Sequence, residues 1–299
     1  GGRFKGTKYL KKLGIFKRAV EHGDFSAVWF PYAMNQTFIR TKIPALATVH
    51  DIYRIHHGTK SESETFKAFL TDRTTRLTSV SEYTKRDIQE STGCKKEITV
   101  IPNSIVFDVS RQREIKELAG KKYILDLNAY IEKKNPLTLL KAFALIKGKT
   151  DSHLVFCGGY KDEEVFTKMQ TFITENDLTE RVSLLFRVSD EERNWLLTHD
   201  TLFVTPSLFE GFGRTPVEAA ICKIPVISTK ETSLFEATMG LCNYVENAKD
   251  EKELADLILQ KLELPDSAEK LAEISEKLAE KYEPKRLAER YMEILSNLR

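Results

Sequence analysis

The sequence contains no apolar run that approaches the length of a membrane-spanning helix, and its first residues do not show a signal-peptide pattern. Cysteine is scarce: Cys94, Cys157, Cys222 and Cys242 are scattered and form no CxxC pair. This pattern predicts reduced thiols in a cytoplasmic protein and gives no support to a zinc site. The net charge of +2 is nearly balanced, which argues against a general nucleic-acid binder.

Acidic residues are missing from residues 1–20, whereas Lys and Arg are frequent there. Apolar residues recur in this segment at roughly helical spacing, at Tyr9, Leu10, Leu13, Phe16 and Val20. Two interpretations remain open. The favoured one is a surface helix that packs one apolar face. The other is a basic amphipathic helix that makes peripheral contact with the anionic inner face of a membrane.

Short β-rich runs alternate with longer helical patterns along the chain. The predicted strands cover residues 27–32, 45–53, 76–81, 98–103, 122–129, 153–159, 182–186, 201–206, 224–229 and 243–247. Near-continuous Val, Ile, Leu and Phe in these runs indicate burial on both faces, as in parallel sheets. Predicted helices over 136–147, 162–175 and 189–199 supply the crossovers. The alternation predicts an α/β protein with two Rossmann-like, doubly wound domains.

The chain of 299 residues is long enough for two domains, each with its own core. We expect an N-terminal domain over residues 1–115 and a C-terminal domain over 116–283, joined by the charged segment 110–122. A last amphipathic helix over 284–299 can return to the N-terminal domain. Ligands of such sheets bind beyond the carboxyl ends of the strands, so residues directly after predicted strands are the candidates for function.

The stretch SLFEGFGRTPVEAA, residues 207–220, follows one predicted strand and holds two carboxylates, Glu210 and Glu218. Gly211 and Gly213 allow the backbone to approach a ligand closely. A helix is predicted to start just after them, and its free N–H groups and partial positive charge suit a phosphate. Because the two carboxylates accept hydrogen bonds from hydroxyls, the stretch predicts a nucleotide-sugar site.

Glu218 has a structural interpretation as well. Thr215 is a good N-cap, Pro216 suits the first helical position, and Glu218 stands three residues after Thr215, which is the spacing of a capping box. Glu210 has no comparable structural explanation, because an acid in a glycine-rich turn is either solvated or holds a ligand.

The spacing Glu210-x7-Glu218 resembles the EX7E motif of the retaining glycosyltransferases of family 4, which have the GT-B fold of two Rossmann-like domains facing across a cleft. Further segments resemble this family in order and spacing: ATVHDIY, LTSVSEYTKRDI, VIPNSI and ILDLNAYIEKKNPLTLLKAF. The resemblance covers nearly the whole chain from about residue 27. It implies an acceptor-side N-terminal domain and a C-terminal domain that binds the nucleotide sugar.

The resemblance assigns roles to the residues of this stretch. Glu210 would hold hydroxyls of the transferred sugar, and Glu218 would hold the ribose of the nucleotide. The backbone amides of Gly211, Phe212 and Gly213 would face the sugar and the phosphate, with Arg214 and Thr215 at the phosphate end.

Three further positions complete the predicted site. Lys134 would bind the diphosphate leaving group, with Lys133 beside it, although a solvated helix start is the alternative for both. His50 would reach the transferred sugar from the opposite domain, and its alternative is a hydrogen-bonded histidine at a strand end. Asn128, which follows a predicted strand, is a further candidate for donor contact.

The function that the resemblance implies is transfer of a hexose to a glycan or lipid-linked acceptor, with retention of configuration. The resemblance implies GDP-mannose or a UDP-hexose as the donor, and we favour GDP-mannose. No Asp-x-Asp pair that would suit a metal-bound diphosphate occurs, so we expect neither a metal nor any other cofactor. The departing phosphate would help to deprotonate the acceptor hydroxyl, and no residue would act as a covalent nucleophile.

Two departures from the family pattern keep an alternative open. Ala129 stands where the family has an Arg paired with the Lys of the leaving-group site. In addition, only 49 residues precede His50 and no convincing strand precedes Ala27, so the N-terminal domain is expected to be shortened. The alternative is a catalytically impaired subunit that binds nucleotide sugars. A Rossmann oxidoreductase lacks support, because no predicted strand is followed by Gly-x-Gly-x-x-Gly.

Overall fold

The computed structural model describes residues 18, 22–33, 43–72, 75–106 and 108–298. The chain divides into two compact units. Unit 1 comprises Gly1–Asn103 and Lys285–Arg299, and unit 2 comprises Ser104–Pro284. Of the predicted amphipathic segment 1–20, all residues except residue 18 lie outside the described residues. The prediction of membrane contact there stays a prediction.

Unit 1 contains a four-stranded parallel sheet with the strand order β1-β2-β3-β4. Its strands are β1 (Val28–Phe30), β2 (Ala45–Val49), β3 (Thr75–Ser79) and β4 (Ile98–Val100), and its helices between them are α1 (Tyr53–His57), α2 (Lys60–Thr71) and α3 (Glu82–Thr92). All five residues of β2 are buried, as a strand covered on both faces requires.

Strand β2 is shorter than the predicted strand over 45–53, and a side chain explains the difference. The Asp51 carboxylate accepts a hydrogen bond from the Tyr53 N–H at 3.0 Å, which turns the backbone and starts α1. His50 therefore lies in the turn that directly follows β2.

Unit 2 contains a six-stranded parallel sheet with the order β10-β9-β8-β5-β6-β7. The strands are β5 (Tyr123–Asp126), β6 (His153–Gly158), β7 (Val182–Phe186), β8 (Leu202–Thr205), β9 (Val226–Thr229) and β10 (Asn243–Val245). The helices are α4 (Pro136–Ile146), α5 (Glu163–Glu175), α6 (Asp190–His199), α7 (Arg214–Ile221), α8 (Leu234–Ala237), α9 (Glu251–Glu263) and α10 (Ala268–Lys281). The chain enters this sheet at its middle, builds one half outward, and returns to build the other half beside β5.

Local sequence explains where the helices of unit 2 begin. Pro136 occupies the first turn of α4, directly after Asn135 in a left-handed conformation. Helix α6 begins with a capping box in which Ser189 and Glu192 satisfy each other's backbone N–H groups. Apolar side chains from the sheet and from α4, α5 and α9 form one buried core, which includes Phe143, Phe156 and Ile258.

The predicted linker over 110–122 lies within unit 2, and its first part is attached to α6. The Asn194 side-chain amide donates to the carbonyl oxygens of Asp108 and Arg111, at 2.6 and 3.1 Å. Arg113 donates from its backbone N–H to the Glu191 carbonyl at 3.1 Å. These bonds fix the segment that leads from the unit boundary to β5.

The last helix, α11 (Pro284–Ser296), belongs to unit 1 from Lys285 onward. Tyr291 packs against Trp29, with ring centroids 4.6 Å apart, and Arg290 donates to the Val100 carbonyl at 2.8 Å. Within the described ranges, none of the helices combines the length and the apolar character needed to cross a membrane.

Candidate active site

The site of unit 2 lies where the strand order reverses, beyond the carboxyl ends of β5 and β8. These two strands are neighbours in the sheet, although about eighty residues of chain separate them. The Asn128 side-chain amide, just after β5, donates to the Thr205 hydroxyl at the end of β8 at 3.2 Å. The segments that follow β5 and β8 therefore lie side by side, and they carry most of the predicted site residues.

Lys134 and Glu210 meet at this edge of the sheet. The Lys134 Nζ donates to the Glu210 Oε1 in an ion pair, and the two side chains are only 14% and 12% exposed. Lys134 closes a short 3-10 turn, Glu132–Lys134, whereas Glu210 lies in the loop after β8. The sequence predicted each residue as a ligand of the donor, and the structure also makes them partners of each other.

Backbone hydrogen bonds fix the loop that carries Glu210. The Leu208 N–H donates to the Lys133 carbonyl at 2.8 Å, which joins the loop to the turn that carries Lys134. The Glu210 N–H donates to the Thr232 hydroxyl at 2.9 Å, and the Ser233 hydroxyl donates to the Glu210 carbonyl at 2.9 Å. The backbone of Glu210 is therefore held at both its N–H and its carbonyl group, which fixes the point from which the side chain extends.

Lys133 points to a different group from its neighbour. Its Nζ lies 5.5 Å from the centre of the Phe209 ring, which is a cation–π geometry. This contact distinguishes Lys133 from Lys134, whose ammonium group pairs with Glu210.

Gly213 is required for the shape of the loop. Its φ of +89° is a conformation that other residues rarely adopt, and a Cβ at this position would lie 2.6 Å from Leu234 Cδ2. The Phe212 ring is buried against Tyr282, with centroids 5.2 Å apart and nearly perpendicular planes. The Phe212 side chain is thus committed to the core, and Gly211 beside it is half-buried.

The predicted capping box at Thr215 is wrong. Helix α7 begins two residues earlier than predicted, at Arg214, and Gly213 occupies the N-cap position without a side-chain hydrogen bond. The left-handed backbone of Gly213 turns the chain into the helix before Thr215, which is half-buried in the first turn. Glu218 is therefore too far along α7 to bond back to the N-cap.

Glu218 is instead held by two arginines. Its side chain is 3% exposed, its Oε2 accepts from Arg193 Nη2, and its Oε1 lies 3.2 Å from Arg214 Nη2. Arg193 comes from α6 and is 25% exposed, whereas Arg214 is 52% exposed. These two contacts fix the orientation of the carboxylate.

Arg193 is a residue of the site that the sequence did not identify. It lies in the segment DEERNWL, where acids outnumber bases and no motif marks it. Its importance follows from the packing of α6 against α7, which brings together two side chains that are 25 residues apart. No local signal in the sequence could have found it.

Asn128 and Asp126 lie beneath this site. The Asn128 side-chain amide donates to Asp126 Oδ1 at 2.5 Å as well as to Thr205, and both Asn128 and Asp126 are buried. Burial raises the pKa of Asp126 to about 7, although the Asn128 hydrogen bond and the Lys134 charge lower it and the Glu210 charge raises it further. The predicted contact of Asn128 with a donor stays a prediction.

His50 belongs to unit 1, and the other predicted site residues belong to unit 2. Its Nε2 lies 2.9 Å from the Pro31 carbonyl oxygen, and its ring lies 4.9 Å from the Tyr32 ring. The predicted role of His50 towards a sugar stays a prediction. Among the described residues, no three His, Cys, Asp or Glu side chains are grouped so that they could hold a metal ion.

Comparison with known proteins gives matches over both units. The family model described as "Glycosyl transferases group 1" matches residues 108–278, which is more than half of the chain, and the model described as "Glycosyltransferase Family 4" matches residues 8–109. The Dictyostelium discoideum alpha-1,3/1,6-mannosyltransferase ALG2 is 31% identical over 147 residues, which are 42% of this chain and 35% of that protein. The chain thus matches about a third of the length of that relative.

Two further similarities extend the comparison. The O-antigen chain mannosyltransferase RfbU of Salmonella typhimurium is 28% identical over 247 residues, which cover 79% of this chain and 64% of that protein. The crystal structure of Anabaena Alr3699/HepE in complex with UDP and glucose aligns with a TM-score of 0.75 at 16% identity, over 97% of this chain and 81% of that one. This structural likeness and the two parallel α/β units show the GT-B fold. The chain belongs to the family of glycosyl transferases group 1 and is of the family 4 type.

Proposed function

We propose that this chain is a retaining, metal-independent glycosyltransferase that transfers a hexose from a nucleotide sugar to a glycan or lipid-linked acceptor. The observation that carries the proposal is the grouping of Lys134, Glu210, Glu218 and the start of α7 beyond the carboxyl ends of β5 and β8. This grouping offers a cation, two carboxylates and free backbone N–H groups within one short stretch of the sheet edge.

The phosphate end of the donor is assigned to the start of α7. The first N–H groups of a helix have no partners within the helix and carry a partial positive charge, so they suit the diphosphate. The left-handed backbone of Gly213 sets where this helix starts, and the half-exposed Arg214 stands at the same end. Lys134 adds a positive charge to stabilise the leaving diphosphate.

The hydroxyl-bearing parts of the donor are assigned to the two glutamates. An ionised carboxylate offers about four lone-pair positions, so a glutamate that is already bound to a cation can still accept from hydroxyls. Glu210 is assigned to the transferred sugar, and Glu218 to the ribose. Arg193 fixes the orientation of the Glu218 carboxylate, which favours its use as an acceptor.

The reaction in this proposal breaks the bond between the sugar and the diphosphate and forms a bond from the sugar to an acceptor hydroxyl on the same face. The departing phosphate receives the hydroxyl proton, so no covalent nucleophile is needed. Lys134 and the α7 amides would stabilise the negative charge that develops on the diphosphate.

The donor is proposed to be GDP-mannose, with a UDP-hexose as the alternative. Mannosyltransferases among the relatives support the first choice, and the likeness to a structure in complex with UDP and glucose supports the second. A second candidate function, a catalytically impaired donor-binding subunit, is favoured by Ala129, which removes a cation from the leaving-group site. The two functions predict the same donor binding and differ in turnover.

Calorimetric titration with GDP-mannose, UDP-glucose and NAD, with and without EDTA, tests the proposal. We expect one nucleotide sugar to bind equally well in EDTA, and NAD not to bind. Lys134→Ala should weaken binding of the matching nucleoside diphosphate by about 1.5–3 kcal/mol, because a charged partner is lost.

Lys133→Ala is the matched control for this titration, because its ammonium group faces the Phe209 ring and not Glu210. It should weaken binding of the nucleoside diphosphate less than Lys134→Ala does. Equal losses in the two lysine variants would show the lysine assignment to be wrong. Loss of nucleotide-sugar binding in EDTA would contradict metal independence.

A further inference from the structure

Asp126 is a buried acid that the proposed reaction does not use. It is the last residue of β5, the strand at which the order of the sheet reverses, and it is only 2% exposed. Burying a carboxyl group costs free energy unless hydrogen bonds or opposite charges offset the loss of water, so a buried acid at this position calls for an explanation. Asp126 accepts a hydrogen bond from the Asn128 side-chain amide, two residues further along the chain, whereas Ile124 of the same strand belongs to the apolar core.

A chain of hydrogen bonds connects Asp126 to the loop that carries Glu210. The Asn128 amide joins Asp126 to the Thr205 hydroxyl, at 2.5 and 3.2 Å. The Thr205 hydroxyl lies 3.2 Å from the Ser207 hydroxyl, and the Ser207 carbonyl accepts from Thr229 at 2.8 Å. The chain crosses the carboxyl ends of β5, β8 and β9, directly beneath the segment that leads to Glu210.

Charged and titratable groups of several elements act on Asp126. They are Lys134 from the 3-10 turn, Glu210 from the loop after β8, Tyr130 from the segment after β5, and Cys157 from β6. Lys134 is the cation of this group, so two carboxylates, Asp126 and Glu210, share its field. The pKa of Asp126, raised to about 7 by burial, places its charge change near neutral pH.

We propose that Asp126 is a positioning residue of the donor site, which holds Asn128 through a hydrogen bond and whose charge competes with the donor diphosphate for Lys134. This inference rests on the proposed function, because it needs a diphosphate at Lys134. When Asp126 is neutral, Glu210 alone balances Lys134. When Asp126 is ionised, the three groups carry a net negative charge, which holds Lys134 and repels the diphosphate.

The sign of the effect follows from this balance. Donor affinity should be higher when Asp126 is protonated and should fall as the pH rises through its pKa. Because one unit of pKa shift corresponds to a tenfold change in binding, we expect a loss of up to about tenfold from about pH 6 to about pH 8. The Asp126→Asn variant keeps the shape and the hydrogen bond to Asn128 but cannot ionise, so this loss should disappear.

The experiment is a calorimetric titration of GDP and of UDP into the intact chain over this pH range. Asp200→Asn is the matched control, because Asp200 is also buried and has a raised pKa, but lies before β8 at the opposite end of the strand. The terminal phosphate of GDP or UDP itself titrates near pH 6 in every experiment. The informative quantity is therefore the difference between the variants in the slope of affinity against pH. Melting curves establish that each variant is folded.

The proposal is supported if the affinity for the nucleotide falls more steeply with rising pH in the wild type and in Asp200→Asn than in Asp126→Asn. Equal slopes in the wild type and Asp126→Asn overturn it and leave the proposed function standing, whereas absence of GDP and UDP binding at every pH overturns both. If Asp126→Asn does not fold, Asp126→Ser replaces it. That smaller neutral side chain must abolish the extra slope for the proposal to hold.

Discussion

Lys134 and Glu210 are 76 residues apart in the sequence and form an ion pair at the edge of the sheet of unit 2. Each side chain was predicted to face a different part of a nucleotide sugar. In the proposed function, donor binding would have to redistribute this pair: the lysine would share its charge with the diphosphate while the carboxylate accepts from sugar hydroxyls. The pair would then link recognition of the diphosphate to recognition of the adjoining sugar.

The first prediction concerns this pair. Glu210→Gln should destabilise the fold by about 1–3 kcal/mol, since Lys134 is then largely buried without its charged partner. Lys134→Gln should cost a similar amount. The double variant should cost less than the sum of the two, because each single change already removes the interaction. Urea unfolding of the four proteins measures the coupling, and strictly additive losses would show that the pair does not exist in solution.

The second prediction separates the two interpretations of Glu218. Because Gly213 is the N-cap of α7, Thr215→Ala should change the free energy of unfolding by less than about 0.5 kcal/mol. Glu218→Gln should cost more than Thr215→Ala, since it leaves Arg193 without its charged partner, and it should also weaken nucleotide binding.

Chemical denaturation and nucleoside diphosphate titration of both variants provide the measurement. A loss of about 1 kcal/mol in Thr215→Ala would restore the capping box. Glu218→Gln with unchanged nucleotide affinity would remove the ribose role of Glu218.

The third prediction concerns the glycine at the start of α7. Gly213→Ala should destabilise unit 2, because alanine disfavours a φ of +89° and its Cβ would meet Leu234 Cδ2 at 2.6 Å. In the Leu234→Ala background the steric part of this cost should be smaller, while the part due to φ persists. Thermal unfolding of both single variants and the double variant separates the two parts. A Gly213→Ala protein of wild-type stability would refute the assigned loop geometry.

The fourth prediction concerns the pH dependence of stability. Both side-chain oxygens of Asp200 are buried without a hydrogen-bond partner among the described residues, and burial raises its pKa well above the ordinary value. The folded chain thus keeps this proton at pH values at which the unfolded chain has released it. Stability should therefore fall as the pH rises above the unfolded pKa, by about 1.4 kcal/mol per pH unit, until the folded form also ionises.

The asparagine side chain in Asp200→Asn is neutral at every pH, so the part of the fall of stability with pH that is due to Asp200 should vanish. The variant should then be more stable than the wild type near neutral pH. Urea unfolding at several pH values gives both slopes. Parallel slopes in the two proteins would contradict a protonated Asp200 in the folded state.

The sequence predicted the fold well because buried parallel strands are continuous apolar runs. The runs at 182–186 and 153–159 correspond closely to β7 and β6. Strand ends were less accurate where a single side chain redirects the backbone, as Asp51 does after β2. The EX7E spacing marked Glu210 and Glu218 as candidates because both lie on one continuous segment, and their roles towards a donor stay predictions.

What the sequence could not provide were the partners of these residues. Arg193 reaches Glu218 through the packing of two helices, and Lys134 reaches Glu210 through the pairing of β5 with β8. The capping box failed for a local reason: the left-handed conformation of Gly213 starts α7 two residues earlier than predicted. The start of the helix depends on the φ angle of Gly213, and the amino-acid sequence allows this angle but does not require it.

Real-time proton NMR of GDP-mannose and UDP-glucose consumption in EDTA, with a mannoside or glucoside acceptor, tests the retaining transferase function on this site. We expect a new glycoside whose anomeric configuration equals that of the donor, formed without metal by the wild type and much more slowly by Glu210→Gln, because contacts to the developing positive charge on the sugar count most in the transition state. An inverted product, or equal rates in the wild type and Glu210→Gln, would contradict the proposed function.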